Sequence, residues 1–477
     1  MTPTELYRLS AEQAVDLLQR REISPLELVD AAAARIAATD QHLNALPTLC
    51  LERARDHAKA IVAGKRPRGM LGGLPIAVKD LTDVAGVRTT YGSPIYTHHI
   101  PVRSDILVER LEANGAIVIG KSNTPEFGAG ASTFNEVFGK TRNPWNVEKS
   151  VSGSSGGSAA ALAAGQAWLA TGSDLGGSLR TPASFNSIVG LRPSPGRVPH
   201  GPSELPWNTL SVNGPMARTA ADVALLLDAM VGEHHEDPLS LTAPAQSFVQ
   251  AVRHARAPKR IGYSTDLGVV PVNPEVERIC RQAAQRFTEL GATVEEAHPD
   301  FSEAVECFQT LRATLFAANH LEHLRNHRDQ LKPEVVWNIE KGLALTAADI
   351  VKAELQRARL YRSTVEFFQN YDLLLCPAAI VPPFDVDMRY VSEVNGQKFD
   401  NYIHWISITF VLTLTSCPVL AAPAGFTASN LPVGVQIMGP PRGEAAVLTA
   451  GALLEQTTGS AKLTPVDPRD GRGNPLR

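Results

Sequence analysis

The stretch DILVERLEANGAIVIGKSN, residues 105–123, carries the architecture in miniature. Its first half reads as a helix, Gly115 as the stop, and AIVIGKSN as a short buried strand. The unit recurs along the chain. GGSAAALAAG precedes AWLATGSD, residues 273–291 precede ATVEEA, and residues 347–370 precede YDLLLCP. LPIAVKD, after Gly72 and Gly73, is a further β-type run, and SCPVLAAP, LPVGVQIMG and the helix GEAAVLTAGALLEQTTG close the chain. Helices alternating with short apolar strands predict an α/β fold. Its twisted central sheet is mixed and largely parallel, with helices on both faces.

Before this region the chain reads as helices. Ser24-Pro25-Leu26-Glu27 combines a capping serine, a proline suited to the first turn and a glutamate placed to complete a capping box. A second helix is predicted over about residues 51–63. The segment 241–257 is the best candidate for a surface crossing. Residues after Asp467 read as a loose tail.

Bulk properties narrow the function classes. A net charge of -4 without a dense Lys/Arg cluster gives no general attraction to nucleic acid or to an anionic membrane. The longest apolar stretch, residues 410–426, holds two prolines and falls short of a membrane span. The N-terminus lacks the pattern of a signal peptide. Five widely spaced cysteines, with no CxxC, suit reduced thiols in a cytoplasmic protein. His98, His99, His200 and His404 show no metal-ligand spacing, so neither metal nor cofactor is expected.

Two serine–glycine tracts bracket the alanine-rich helix: VSGSSGGS, residues 151–158, and SDLGGSLR, residues 173–180. A phosphate loop would need a lysine that the first tract lacks. Gly153-Ser154-Ser155-Gly156-Gly157 matches the G-x-S-x-G elbow, but the preceding TRNPWNVEKSV does not read as the strand that the elbow requires. Both tracts together suit acyl transfer. A serine needs a base to become a nucleophile, and the consecutive N–H groups of Leu175, Gly176, Gly177 and Ser178 could hold a developing oxyanion. Neither tract contains histidine. Lys79, ending the apolar run LPIAVKD, could act as base if burial neutralised it. Asp80 would then point to the opposite face of the extended segment.

The motifs in order identify a resemblance. Gly72–Asp80, Gly120–Phe127, Thr141–Trp145, Gly153–Gly157, Ser173–Arg180, Gly190–Pro193 and Leu431–Ile437 together resemble the amidase signature family across nearly the whole chain. The resemblance implies a Lys–cis-Ser–Ser arrangement. Ser178 would be the nucleophile, Ser154 the bridging serine after a cis peptide from Gly153, and Lys79 the general base. Ser155, Asp174 and Arg180 would support the loops. It implies one amidase-like domain over 1–477, made of N-terminal helices (1–65), a catalytic core segment (66–235), a helix-rich specificity region (236–410) and a C-terminal return to the core (411–477).

GGSLRTPASF and GLRPSPGRVPHGP look closer to stand-alone amidases resembling 6-aminohexanoate cyclic-dimer hydrolase. The glutaminase component of a tRNA-dependent amidotransferase, and an amidase-like binding protein without turnover, are the alternatives. The expected partner is a small amide, with a carbamate or ester also reachable and a homodimer possible by analogy. Trp207, Tyr402 and Trp405 are the candidate pocket residues, and the region from Phe308 to His320 is a further candidate for specificity.

Overall fold

In the computed structural model, which describes residues 2–476, Asp105 caps the helix Ile106–Ala113 by accepting from Leu107 N at 2.8 Å. Gly115 turns the chain at φ +84°, and the strand Ile117–Ser122 follows, buried along its whole length. Strong local signals elsewhere act in the same way. Ser24 and Glu27 form the reciprocal capping box of the helix Pro25–Leu43. The other helix–strand units appear as Gly156–Ala163 with Leu169–Asp174, Pro274–Glu289 with Thr293–Glu296, and Ala347–Phe367 with Leu373–Pro377.

Eleven strands build the main sheet among the described residues. In chain order they are β1 (Thr48–Leu49), β2 (Pro75–Lys79), β3 (Ile117–Ser122), β4 (Leu169–Asp174), β5 (Val189–Arg192), β6 (Val212–Ala217), β7 (Arg260–Tyr263), β8 (Thr293–Glu296), β9 (Leu373–Pro377), β10 (Val419–Phe426) and β11 (Pro432–Met438). Their spatial order is β1-β3-β2-β4-β6-β5-β10-β11-β9-β7-β8. Two parallel blocks, β3-β2-β4 and β9-β7-β8, are joined through antiparallel pairs running from β4 to β9.

Helices cover both faces. A Cβ on Gly434 of β11 would come within 2.8 Å of Ser184, in the helix Arg180–Asn186. A Cβ on Gly451, in the helix Glu444–Thr458, would come within 2.3 Å of Leu420. Leu420 pairs with Ile437, three residues from Gly434, so the two helices lie on opposite sides. The helix Gly156–Ala163 is buried at every residue. Its small side chains let the backbone approach the sheet: a Cβ on Gly157 would sit 2.3 Å from Asn123 N.

Two segments differ from the sequence reading. Asn146–Ser150, expected not to be a strand, is one. It pairs with Arg142–Asn143 in a separate two-stranded ribbon around the Pro144-Trp145 turn. Its polar composition hides it because it serves no face of the main sheet. The tail is not loose over its described residues. Arg35 pairs with Asp467 at 2.7 Å, Val147 N donates to Arg469 O at 2.9 Å, and Arg469 N donates to Pro144 O at 3.1 Å. Partners distant in sequence hold it, which local composition cannot reveal. Among the described residues no helix is long and apolar enough to cross a membrane, and all five cysteines are free.

Candidate active site

Pairing of β2 with β3 sets Val78 opposite Lys121 and Lys79 opposite Ser122. Alternation along a strand then sends the two lysines to opposite faces. Lys79 enters the side occupied by the helix Gly156–Ala163, where Ser122 Oγ meets Ser158 Oγ at 2.6 Å. Asp80 and Lys121 share the other face, joined at 3.0 Å.

Lys79 has no exposed surface. Its Nζ lies 2.7 Å from Ser154 Oγ, 2.8 Å from Ser155 Oγ and 3.0 Å from Ser173 Oγ. Its backbone N donates to Thr171 Oγ1 at 3.0 Å, fixing the strand end. Burial pushes the amine down to about 7, while the charge of Asp174 pulls the other way. Three hydroxyls therefore surround a group that can exist as the neutral amine near neutral pH. An ammonium would donate to all three, whereas the amine offers a lone pair that one hydroxyl can fill.

Ser154 follows a cis peptide from Gly153 and is buried. Ser155 caps the next helix by position. Its hydroxyl also donates to Ser173 O at 3.3 Å, tying the loop to the end of β4. Ser178 is half-buried on the loop after β4, and Ser155 N donates to Ser178 O at 3.3 Å. Backbone thus joins the two serine loops. No Ser154–Ser178 hydroxyl hydrogen bond is made among the described residues.

Asp174 organises the second loop from a fully buried position. Its carboxylate accepts from Arg180 Nε and Nη2, both at 3.0 Å, from Gly177 N at 2.9 Å and from Leu179 N at 3.1 Å. Arg192 lies 3.3 Å from the same carboxylate and also donates to the Asp174 carbonyl. Burial would raise this carboxyl, but Arg180 and Arg192 outweigh it and hold the group far below its usual range. Gly177 adopts φ +123°, and a Cβ there would fall 2.3 Å from Thr409 Oγ1. Thr409 in turn donates to Gly176 O at 2.7 Å, and its own carbonyl accepts from Arg180 at 2.7 Å.

This geometry corrects the four-donor expectation. Gly177 N–H is spent on Asp174, while the N–H groups of Leu175, Gly176 and Ser178 carry no hydrogen bond within the described chain. The pocket expectations also change. Trp405 is 1% exposed, with its ring edge-on to Phe384, and belongs to the packed interior. Tyr402 is buried, and its hydroxyl bonds Arg312 at 2.7 Å and also Asn338. Trp207 lies at the other extreme, 72% exposed. An aromatic near a functional loop is useful to the core wherever neighbouring helices cover it.

Other residues stand closer to the site. Phe308 stacks on Phe410 with centroids 4.2 Å apart and abuts Gly176. Leu175 packs into a small apolar cluster with Ala129, Phe127 and Phe316, and a Cβ on Gly128 would lie 3.4 Å from Ser154 Oγ. Sequence reasoning missed the roles of Ser173, Arg192 and Thr409 around these loops. Ser173 and Arg192 lie inside motifs already singled out. Thr409 carried no local signal. Among the described residues no group of three or more His, Cys, Asp or Glu gathers as a metal-binding cluster.

Comparison with known proteins agrees along the whole chain. The family described as Amidase matches residues 27–448. An acylamidase of Rhodococcus erythropolis is 33% identical, with 98% of this chain and 99% of that protein covered. A glutamyl-tRNA(Gln) amidotransferase component from Moorella thermoacetica is 35% identical over 95% of this chain and 97% of its own length. Among solved structures, a bacterial aryl acylamidase of the amidase signature family superimposes with a TM-score of 0.90 at 28% identity, covering 98% and 99% of the two chains. 6-Aminohexanoate cyclic dimer hydrolase complexed with substrate gives 0.86 at 25% identity, covering 94% and 97%.

Proposed function

The chain belongs to the amidase family, as an amidohydrolase of carbon–nitrogen bonds other than peptide bonds, and from that premise we propose that it hydrolyses a small, hydrophobic linear or cyclic amide through an acyl-enzyme on Ser178. The observation that carries the reading is Lys79 Nζ, buried without a carboxylate partner among the described residues, 2.7 Å from Ser154 Oγ.

We infer the following steps for this reading. Ser178 Oγ attacks the amide carbonyl carbon. Its proton passes to Ser154, and the proton of Ser154 passes to the neutral amine of Lys79. The carbonyl oxygen gains the negative charge, and the unspent N–H groups of Leu175, Gly176 and Ser178 are the donors available to it. Collapse breaks the C–N bond. The departing amine takes a proton returned from the Lys79 ammonium through Ser154, leaving an ester on Ser178. Water then attacks the ester carbonyl, giving its proton to Lys79 by the same route, and Ser178 leaves with a proton as the acid is released. Asp174, Arg180 and Arg192 keep the nucleophile loop in shape and contribute no proton.

Phe127, Phe316 and Leu175 pack into an apolar cluster beside the loop that carries Ser178, which suits a hydrophobic acyl or amine group. The acylamidase relatives favour this class. The likeness to the glutamyl-tRNA(Gln) amidotransferase component supports a second reading, release of ammonia from glutamine for a partner complex. The deciding experiment is a screen of purified protein against glutamine, anilides, aliphatic and cyclic amides and carbamates, combined with labelling by a serine-directed phosphonate. Turnover of simple amides, with labelling lost in Ser178→Ala, is expected. Activity that appears only on glutamine with added partner proteins would select the second reading. Labelling that survives Ser178→Ala would overturn the assignment of the nucleophile.

A further inference from the structure

One buried amine near the relay is left unused by this mechanism. Lys332 precedes the helix Pro333–Leu343 and is 8% exposed. Its backbone N donates to Glu126 Oε2 at 2.7 Å, and Glu126 Oε1 accepts from Ser93 Oγ at 2.6 Å. The side chain reaches the segment after Glu126. Nζ donates to Ala129 O at 3.1 Å and stands 4.0 Å from the centroid of the Phe134 ring. Glu334 lies 4.0 Å from the amine and is itself gripped by Arg389 at 2.7 Å, whose guanidinium also faces Phe134 at 4.9 Å.

The segment held in this way forms the bed of the bridging serine. Ser152 Oγ donates to Ala131 O at 3.0 Å, and Thr133 Oγ1 donates to Ser152 O at 2.7 Å. Gly153 lies so close that a Cβ would sit 3.1 Å from the backbone of Ser132. Gly128, at the other end of the segment, borders Ser154 Oγ. The loop thus has two sides, one against residues 152–154 and one against Lys332. A cation between a carbonyl and an aromatic face suits such a clasp, because both partners attract the ammonium. Burial lowers Lys332 to about 8, with Glu334 and Glu126 countering and Arg389 adding to the fall, so the donating form dominates near neutral pH.

We propose that Lys332 is a positioning residue for Ser154: it anchors the 129–134 segment from the helix-rich region and so sets the bridging hydroxyl against Lys79. The inference rests on the relay reading of Ser154. Displacing a reacting group by about 1 Å costs on the order of a hundredfold in rate, so a clasp one layer away should be visible in the chemistry.

The test compares Lys332→Met with Lys332→Arg in the full-length protein. It reads kcat and KM on the best amide from the screen, the rate of phosphonate labelling at Ser178, and Tm. For a folded Lys332→Met, kcat and the labelling rate should fall together by about tenfold or more, with KM within about twofold. Lys332→Arg should recover most of both. Phe134→Leu, which keeps the Ala129 bond and removes the ring, should lower the same two rates by about two- to fivefold. Wild-type kcat and labelling in Lys332→Met would overturn the proposal, as would a rise in KM alone. If Lys332→Met does not fold, wild-type rates in Phe134→Leu would overturn it. The relay reading fails separately: Ser154→Ala with full activity would sink it whatever the Lys332 variants do.

Discussion

Lys79 and Lys121 are two buried lysines on adjacent strands, and the fold gives them opposite surroundings. Both end apolar runs, LPIAVK and AIVIGK, and neither has exposed surface. Burial lowers both. Lys121 meets Asp80 at 3.0 Å and Thr89 Oγ1 at 2.6 Å, so its charge is matched within the core. Among the described residues Lys79 meets hydroxyls and a carbonyl, and Asp174, the acid whose charge bears on it, is neutralised by two arginines. The lesson is that a buried lysine is free to lose its proton, as the proposed base must, when its surroundings offer polar groups without a countercharge. With a countercharge it becomes a strut.

Substitution should separate the two roles. Lys79→Met should lower kcat/KM by about 10²–10⁴-fold, as expected for loss of a general base, while the protein still folds. Steady-state rates and unfolding curves on one preparation check both halves. Lys121→Met should do the reverse. It strands the Asp80 carboxylate with Thr90 alone, at a cost of about 3–5 kcal/mol in urea unfolding, with the folded fraction still turning over. Loss of activity without loss of stability in Lys121→Met would erase the contrast.

The pH profile sharpens the same point. The proposed base, Lys79, works only when neutral, so kcat/KM should rise with slope one through about pH 7 and then level. Stability shares the sign. The folded state holds Lys79 near 7 against an ordinary value near 10.5, so between those limits the unfolded chain binds more protons and wild-type stability rises with pH. Lys79→Met lacks this term, and its Tm relative to wild type should improve as pH falls from about 10 to about 7. Ser173→Asp would give Lys79 the countercharge that Lys121 already has, and should move the kinetic midpoint upward by about 1–3 pH units. An unmoved midpoint would mean that another group controls the rate. The smallest effect is expected from Ser155→Ala, which removes one of three hydroxyl partners of Lys79. A loss of about 1 kcal/mol in transition-state stabilisation, read from kcat/KM, fits one hydrogen bond.

Legibility followed locality. The capping box at Ser24–Glu27 lies within four residues, and its bonds depend on nothing distant. Helix–strand units such as 105–123 were readable because burial imposes a period on the residues that face the core. The strand Asn146–Ser150 was not, although its partner Arg142–Asn143 is adjacent in the chain, because its polar residues serve no face of the main sheet; the anchored tail was not, since partners far along the chain hold it. The aromatic residues around the site misled for a related reason. Trp405 and Phe308 are both aromatic and both near the loop after β4, yet one packs against Phe384 and the other lies against Gly176. The packing of the helix Ala304–His327 against the helix Ser407–Thr413 distinguishes them.

Residue order alone specified the alternating elements, the two serine–glycine loops and the candidate lysine, because capping, hydrophobic period and backbone freedom act over a few residues. The tertiary structure decided which lysine meets a carboxylate and which meets hydroxyls. It did so through the register of β2 on β3, which turns Lys79 and Lys121 to opposite faces. It also decided how the carboxylate that takes the Gly177 N–H is held, since Arg180 and Arg192, the second reaching it from another strand, close around Asp174. Charge matching in a buried site depends on distances through space, and a linear chain does not state those until it folds.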